Sequence, residues 1–439
     1  MSEVRITRIM VKNLFGRVSY NMELPEENPI AIITAPNGMG KTTLMNLIMF
    51  LFSPSEKTFA AIRGVPFEVF RCGLSNGKTV ELKPEKAAPA VKQSSEDIFV
   101  RRPQAAPDRQ DYIFTVYDGS APAGEPLRYL TLLNEAFSSN LAAYFENGKS
   151  GKSNAPGAQA AKIVWQRLAA YLQENGCAVS VNHVRADRIQ HVVLEGGGEE
   201  EGAKTVSPLA LACENISSMI RSATDAYNVE VSKAKDEFPR LFLSGDRKKI
   251  RYEYFEAEWN AYRYALTQYQ EIGLIPITED FTKGADLKRL YDEKGDFLSA
   301  YLEAFRKTTE PLKDIYERLR LFSEIFNERN VITRKKLLFP RGCVTLYENG
   351  RRMNLEIMSS GEKHDFMMFY HLIFNSRRGS LVLIDEPEIS LHIEWQESYI
   401  DRLAQICKMN SLQAIIATHS PHIVNGHYDY LVKKNAAED

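Results

Sequence analysis

Residues 29–52 read PIAIITAPNGMGKTTLMNLIMFLF, and the change of pattern inside this stretch decides the fold. Pro29 to Thr34 is a short unbroken apolar run, the mark of a strand buried on both faces of a parallel sheet. Lys41 to Phe52 is apolar nearly all round, the mark of a buried helix. Between them, Ala35-Pro36-Asn37-Gly38-Met39-Gly40-Lys41-Thr42-Thr43 spans the handover from strand to helix. Gly38 and Gly40 let backbone N–H groups turn towards an anion with no side chain in the way, and the free N–H groups of the helix start add partial positive charge. This is the context of a phosphate-binding loop, in which Lys41 reaches the β and γ phosphates of a nucleotide and Thr42 ligates Mg²⁺. The first glycine of the GxxxxGK[ST] pattern is replaced by Ala35.

Three further motifs follow near the other end of the chain. Leu381 to Ile384 is an apolar strand closing in Asp385 and Glu386. A parallel strand delivers its last residues to the carboxyl edge of the sheet, where ligands bind. There Asp385 would hold Mg²⁺ and Glu386 would take a proton from an attacking water. The same two acids before Pro387 also read as an ordinary turn. Gln413 to Thr418 is another buried strand, and it ends in His419, 33 residues beyond Glu386. His419 either donates a hydrogen bond to a γ phosphate or serves as a structural hydrogen-bonder, because imidazole does both. Met358-Ser359-Ser360-Gly361-Glu362-Lys363 stands at a helix start before the apolar run Phe366 to Phe374. Its free N–H groups suit a second anion, and its Ser-x-x-Glu spacing suits a helix cap.

The remainder sets the frame. The chain has 439 residues, a formal net charge of −2 and 44% hydrophobic positions, enough for a packed core and not a uniformly basic coat. No apolar stretch approaches the roughly 20 residues of a membrane-spanning helix. Cys72, Cys177, Cys213, Cys343 and Cys407 form no metal or disulfide spacing, which points to reduced thiols and the cytoplasm. Val4 to Val11 reads as a strand, and residues 86–110, 146–160 and 196–204 read as loops. Ala178 to Leu194 suggests strands around a polar stretch. From Ser207 to Asn330 the pattern is helical, with Ile315, Leu319, Phe322 and Phe326 on one packing face and Pro311 in a first turn. Cys343 to Tyr347 and Met353 to Ile357 flank a turn at Glu348-Asn349-Gly350, the pattern of a hairpin. The expected division is 1–206 for the N-terminal part of the head, 207–340 for a helical insertion and 341–439 for the C-terminal part.

These motifs, in this order, resemble the ABC ATPase superfamily: Walker A, signature, Walker B and switch histidine. The resemblance implies an α/β fold, an ABC ATPase head with a mixed sheet, split here by a long helical insertion. It implies ATP and Mg²⁺ as cofactors, with Asn37, Gly38, Gly40, Lys41, Thr42 and Thr43 on the nucleotide, Thr42 and Asp385 on the metal, and Glu386, His419 and Lys41 in catalysis. It also implies a homodimer or higher homo-oligomer in which Ser359 and Gly361 of one head reach the γ phosphate bound by the other. Ser360 replaces the usual glycine of the signature, and His392 replaces the usual acid after Walker B. The wording Asp385-Glu386-Pro387-Glu388-Ile389-Ser390-Leu391-His392 is similar to the overcoming-lysogenization-defect (OLD) branch, also called the AAA15/AAA21 group. Lys12-Asn13-Leu14-Phe15 is similar to that branch and to the SMC and RecF heads, where this region lies beside the adenine.

Relatives in that branch carry a TOPRIM nuclease after the switch histidine, and 20 residues follow His419 in this sequence. The expectation is therefore a stand-alone ATPase that controls a separate nuclease subunit. It is most similar to the PtuA-type ATPases of the Septu anti-phage system, with an HNH partner, and next to the AriA type of PARIS, with a TOPRIM partner. The alternative is a RecF-like or SMC-like repair ATPase that binds DNA directly. Arg247, Lys248, Lys249 and Arg251 precede Tyr252, Tyr254, Phe255 and Trp259, and Arg334-Lys335-Lys336 with Arg341 forms a second basic cluster. Such patches suit nucleic acid. The acids Glu253, Glu256 and Glu258 interrupt the first patch and favour a solvated helix face whose aromatics pack inward.

Overall fold

The computed structural model describes residues 4–25, 28–36, 38–86, 110–136, 156–185, 207–243, 251–277, 282, 284, 286–331, 333–391 and 393–432. The chain divides into two compact units, Met1–Ala186 with Ser376–Asp439, and Asp187–Asn375.

The first unit is built from both ends of the chain. An antiparallel sheet contains β1 (Ile6–Leu14), β2 (Val18–Glu23), β4 (Val69–Leu74), β5 (Lys78–Lys86), β6 (Gln110–Asp118) and β7 (Ala121–Pro122), in the order β2-β1-β4-β5-β6-β7, with β8 (Leu127–Arg128) also paired to β6. A parallel sheet has the order β3 (Ile30–Thr34), β14 (Gln413–Thr418), β13 (Leu381–Asp385) and β9 (Val181–Arg185). Helix α1 (Lys41–Phe52) shares one hydrophobic cluster with both sheets: Leu44, Ile48, Phe50 and Leu51 belong with Ile9 and Phe70 of the antiparallel sheet and with Ile33, Leu383 and Ile415 of the parallel one. Val382 and Ile384, which alternate with Leu381 and Leu383, are buried as well, as a parallel strand covered on both faces requires. The side-chain amide of Gln413 closes the unit, accepting from Ile6 N–H at 3.0 Å and donating to Ile6 C=O at 2.6 Å across 407 residues of sequence.

Register sets what shares the edge of the parallel sheet. Thr418 is level with Thr34, and Asp385 with Ala417. The Walker A loop, Glu386 and His419 therefore all leave the sheet at its carboxyl edge.

The second unit contains the helices α4 (Pro208–Leu243), α5 (Tyr252–Glu271), α6 (Leu287–Phe305) and α7 (Glu310–Arg329), numbered after α2 (Glu56–Ile62) and α3 (Pro156–Glu174) of the first unit. Strands β10 (Lys335–Leu338), β11 (Thr345–Glu348) and β12 (Arg351–Met353) form a small antiparallel sheet, followed by α8 (Ser360–Tyr370) and a π-helical turn, His371–Asn375. Asn349 and Gly350 have φ of 52° and 78°, so the hairpin turn uses the left-handed pair that such turns favour. Ile315, Leu319, Phe322 and Phe326 are all buried, and Phe322 meets Phe366 of α8 edge-on with ring centroids 5.0 Å apart. Residues 341–375 fall within the helical unit.

Local readings shift in places. The first strand is Ile6–Leu14 instead of Val4–Val11. Residues 156–160 begin α3 instead of a loop, since proline is tolerated at a helix start and the Ala/Gly composition hides the periodicity. Val181–Arg185 is a strand, while 192–194, 146–155, 196–204 and 87–109 lie outside the described residues. No two of the cysteines form a disulfide. Among the described residues, no helix is long and apolar enough to cross a membrane.

Candidate functional site

The Walker A loop is shaped by its glycines and by the strands beneath it. Gly38 and Gly40 have φ of 79° and 87°, the left-handed region that other residues avoid. At Gly40 space is short as well, because an added Cβ would lie 2.8 Å from Leu14 Cδ2 and 3.0 Å from Phe15 Cε2. Leu14 and Phe15 thus lie against the loop at Gly40. Tyr20 of β2 adds a second support, its hydroxyl donating to Met39 C=O at 2.6 Å. Ala35 is buried and is not among the positive-φ residues, which explains why the first glycine of the pattern is dispensable here.

Lys41 is buried and donates to the loop's own carbonyls, Ala35 O at 2.7 Å and Pro36 O at 3.4 Å. The ammonium is thereby held under the loop that would wrap a phosphate. Thr42 is exposed and Thr43 half-buried at the first turn of α1, whose start has no side-chain cap. Its first N–H groups are those that an anion would satisfy. Asn37 lies outside the described residues, as does His392.

Asp385 and Glu386 are half-buried at the end of β13. Glu386 turns the chain itself, with φ 48° and ψ 58°, while its N–H donates to Ala417 C=O at 2.9 Å. A non-glycine residue in this region costs on the order of 1–3 kcal/mol and is typical of functional turns. The turn lifts the Glu386 side chain out of the alternation of the strand.

Glu388, two residues further on, is a residue that sequence reasoning passed over. Its Oε1 accepts from Thr418 Oγ1 at 2.7 Å and from the backbone N–H of His419 at 2.9 Å, and lies 3.0 Å from His419 Nδ1. Its side chain is 6% exposed against 46% for His419, so a buried carboxylate holds the backbone of His419 and stands beside its half-exposed imidazole. Gln396 ties the same two segments together, accepting from Ser420 Oγ at 2.7 Å and donating to Leu391 C=O at 3.0 Å. The one signal in the sequence was an acid in the turn after Asp385-Glu386, level with nothing until the strands are paired.

Ser359 and Gly361 lie in the other unit. Ser359 caps α8: its Oγ accepts from Glu362 N–H at 3.2 Å, and its own N–H donates to Glu362 Oε2 at 2.7 Å, a reciprocal capping box. Nothing lies within 4 Å of a Cβ built on Gly361, so its face of the helix start is open.

Of the basic clusters, 247–249 lies outside the described residues. Phe255 and Trp259 after it are buried in the core of the helical unit, whereas Tyr254 is exposed. In the second cluster Lys335 is turned inward to Glu362, Nζ lying 2.9 Å from both carboxylate oxygens.

A glycine-bearing loop at the edge of a parallel sheet, an antiparallel sheet sharing the hydrophobic cluster of the helix that follows it, and a helical unit encoded between the two halves of the first make a mixed α/β fold split by a long helical insertion. A family profile described as "AAA domain, putative AbiEii toxin, Type IV TA system" matches residues 243–425. No curated protein matches the sequence. Among solved structures, the chain is similar to the Smc head domain with an extended coiled coil bound to the C-terminal domain of ScpA from Pyrococcus furiosus, at 13% identity and a TM-score of 0.34 over 96% of this chain and 91% of that one. It is also similar to SmcHead bound to the C-winged helix domain of ScpA, at 11% identity and a TM-score of 0.35 over 99% of this chain and 98% of that one.

Proposed function

We propose that this chain is a cytoplasmic ATPase that binds and hydrolyses ATP with Mg²⁺, pairs head to head with a second copy, and acts as the sensor and scaffold for a separate nuclease subunit in bacterial anti-phage defence. The observation that carries the ATPase reading is the convergence of Lys41, Asp385, Glu386 and His419 on one sheet edge, from segments more than 300 residues apart in sequence. In the proposed division, 1–206 and 341–439 supply the ATPase motifs and 207–340 the arm.

Lys41 exchanges its carbonyl contacts for charge-assisted bonds to the β and γ phosphates, which are shorter and stronger. Gly38 and Gly40 bring backbone N–H groups onto the same oxygens. Thr42 and Asp385 have the hard oxygen donors that Mg²⁺ takes, and the bound ion neutralises phosphate charge. Glu386, held out of the strand by its left-handed turn, accepts a proton from water at its carboxylate. Ser359 and Gly361 bring a hydroxyl and the N–H of Gly361 to the γ phosphate of the second copy, which gives an otherwise ordinary cap its function. The effector expected is an HNH nuclease, and a TOPRIM nuclease next.

The test is a pair of substitutions. Glu386→Gln should retain ATP binding and lose about 100-fold or more in turnover, the scale of general-base loss, whereas Lys41→Ala should lose binding. Normal hydrolysis by Glu386→Gln removes Glu386 as the base. DNA cleavage by the purified chain alone removes the scaffold reading.

A further inference from the structure

The antiparallel sheet has a face turned away from α1. Along β1, Ile9 and Val11 lie in the hydrophobic cluster with Leu44 and Ile48, so the alternating Arg8, Met10 and Lys12 stand on the opposite side. On that side the register lines up Arg8, Gly73, Thr79 and Tyr117 in one row across β1, β4, β5 and β6. Gly73 contributes no side chain, and a glycine inside a strand leaves room for another group to approach the backbone. A cavity of about 500 Å³, within the range of small-molecule sites, is lined by all four residues of the row together with Lys12 and Asn21. A Cβ on Gly73 would already lie 3.2 Å from Arg8 Cβ.

The charged groups around this cavity are unequally partnered. Arg71 is occupied, its Nε and Nη2 each 2.6 Å from Glu81 Oε2, and the Tyr117 hydroxyl donates to the other oxygen, Oε1, at 3.3 Å. Buried Glu81 thereby neutralises Arg71 and holds the Tyr117 ring in the wall. Arg8 and Lys12 have no ion pair among the described residues, although exposed Glu23 stands opposite Arg8 in the register. Asn21 is 8% exposed, and its Oδ1 accepts from Arg8 Nε at 2.9 Å, which leaves its amide N–H groups without a hydrogen bond among the described residues. A guanidinium, an ammonium and an amide thus present donors with no acceptor assigned to them. Phosphate oxygens are ionised acceptors that match such a set, and a fixed aromatic ring beside them gives a base a surface to stack on. We infer that this cavity binds a nucleoside phosphate, with Arg8, Lys12 and Asn21 on the phosphate and Tyr117 against the base. The site is separate from the Walker A loop, which meets β1 through Leu14 of the α1-facing cluster, and it does not depend on the ATPase reading.

The test is calorimetric titration of the full chain carrying Lys41→Ala, so that the P-loop lysine is absent, with AMP, GMP, CMP, UMP and inorganic phosphate. At least one nucleoside monophosphate should bind once per chain, about tenfold tighter than inorganic phosphate, the scale of one stacked base. Adding Arg8→Gln or Lys12→Gln should weaken it about ten- to a hundredfold, the loss of one charge-assisted hydrogen bond. Tyr117→Leu should bring the nucleotide down to the affinity of inorganic phosphate, and Gly73→Val should fill the cavity and abolish binding. Arg8 and Lys12 reach solvent, so their variants should melt with the parent chain and decide the question even if Gly73→Val does not fold. A 5′-phosphorylated dinucleotide separates the sources of the ligand: tighter binding than the monophosphate assigns the cavity to the end of a strand, weaker binding to a free nucleotide, and either supports a nucleoside phosphate site. The proposal is overturned if no monophosphate binds saturably, if inorganic phosphate binds as tightly, or if the Arg8 and Lys12 variants bind as the parent does.

Discussion

Replacing Lys335 by methionine should loosen the helix start that carries Ser359 and Gly361. Lys335 Nζ is 2.9 Å from both oxygens of Glu362, with the two side chains 11% and 8% exposed. Burial pushes the Glu362 carboxyl up, but Lys335 and the N–H of Ser359 outweigh it and hold the group below the usual glutamate range. Methionine matches the lysine stem in length and leaves the carboxylate buried without its counter-charge. Breaking one side of a buried pair costs about 3–5 kcal/mol. The carboxylate keeps its place at the start of α8, worth about 0.3–1 kcal/mol, so the net loss expected is about 2–4 kcal/mol. Glutamine at position 362 retains the capping box without the charge. Urea denaturation of wild type, Lys335→Met, Glu362→Gln and the double variant then isolates the pair, with an expected coupling of about 2 kcal/mol, inside the range for contacting residues. The pH dependence has a definite sign. A carboxyl whose folded value is depressed contributes stability above its unfolded value and loses it as pH falls through the folded one. The gap between wild type and Lys335→Met should therefore be widest near neutrality and close in acid. A coupling below about 0.5 kcal/mol, the level at which independent sites simply add, would refute the argument.

Gly40→Ala combines a left-handed φ of 87° with a Cβ 2.8 Å from Leu14 Cδ2, so it should lower the melting temperature and weaken ATP binding; Ala35→Gly, at a position with no such demand, should leave ATP affinity unchanged in a titration. Asp365 pairs with Arg329 at 2.9 Å, yet burial dominates the lowering by Arg329 and lifts its carboxyl to about 6. Because the folded value exceeds the unfolded one, the stability it contributes is complete below about pH 4 and is lost as pH rises through the folded value. Asp365→Asn, whatever its absolute stability, should remove that decline from urea midpoints measured across this window, and an unchanged slope would assign the decline to another group.

The sequence by itself determined those features whose cause is local. The unbroken run Ile30–Thr34, the all-round apolar helix Lys41–Phe52 and the glycines between them specify a buried strand, a buried helix and an anion-ready turn, because each follows from neighbours in the chain. The Ser359–Glu362 capping box and the Asn349-Gly350 turn were legible for the same reason. What required the tertiary structure was pairing between distant segments. Sequence marks Glu388 as a turn residue and His419 as a strand end; the parallel pairing of β13 with β14 brings them to one edge and makes them partners. Lys335 reads as part of a basic patch until β10 turns it onto Glu362, which removes it from the surface charge. Gly40 reads as one more loop glycine until Leu14 and Phe15 close the space beside it. Residue periodicity encodes which face of an element is buried. It does not encode which other element covers that face, and in this chain the meeting of Lys41, Asp385, Glu386 and His419 at one sheet edge depends on that second choice.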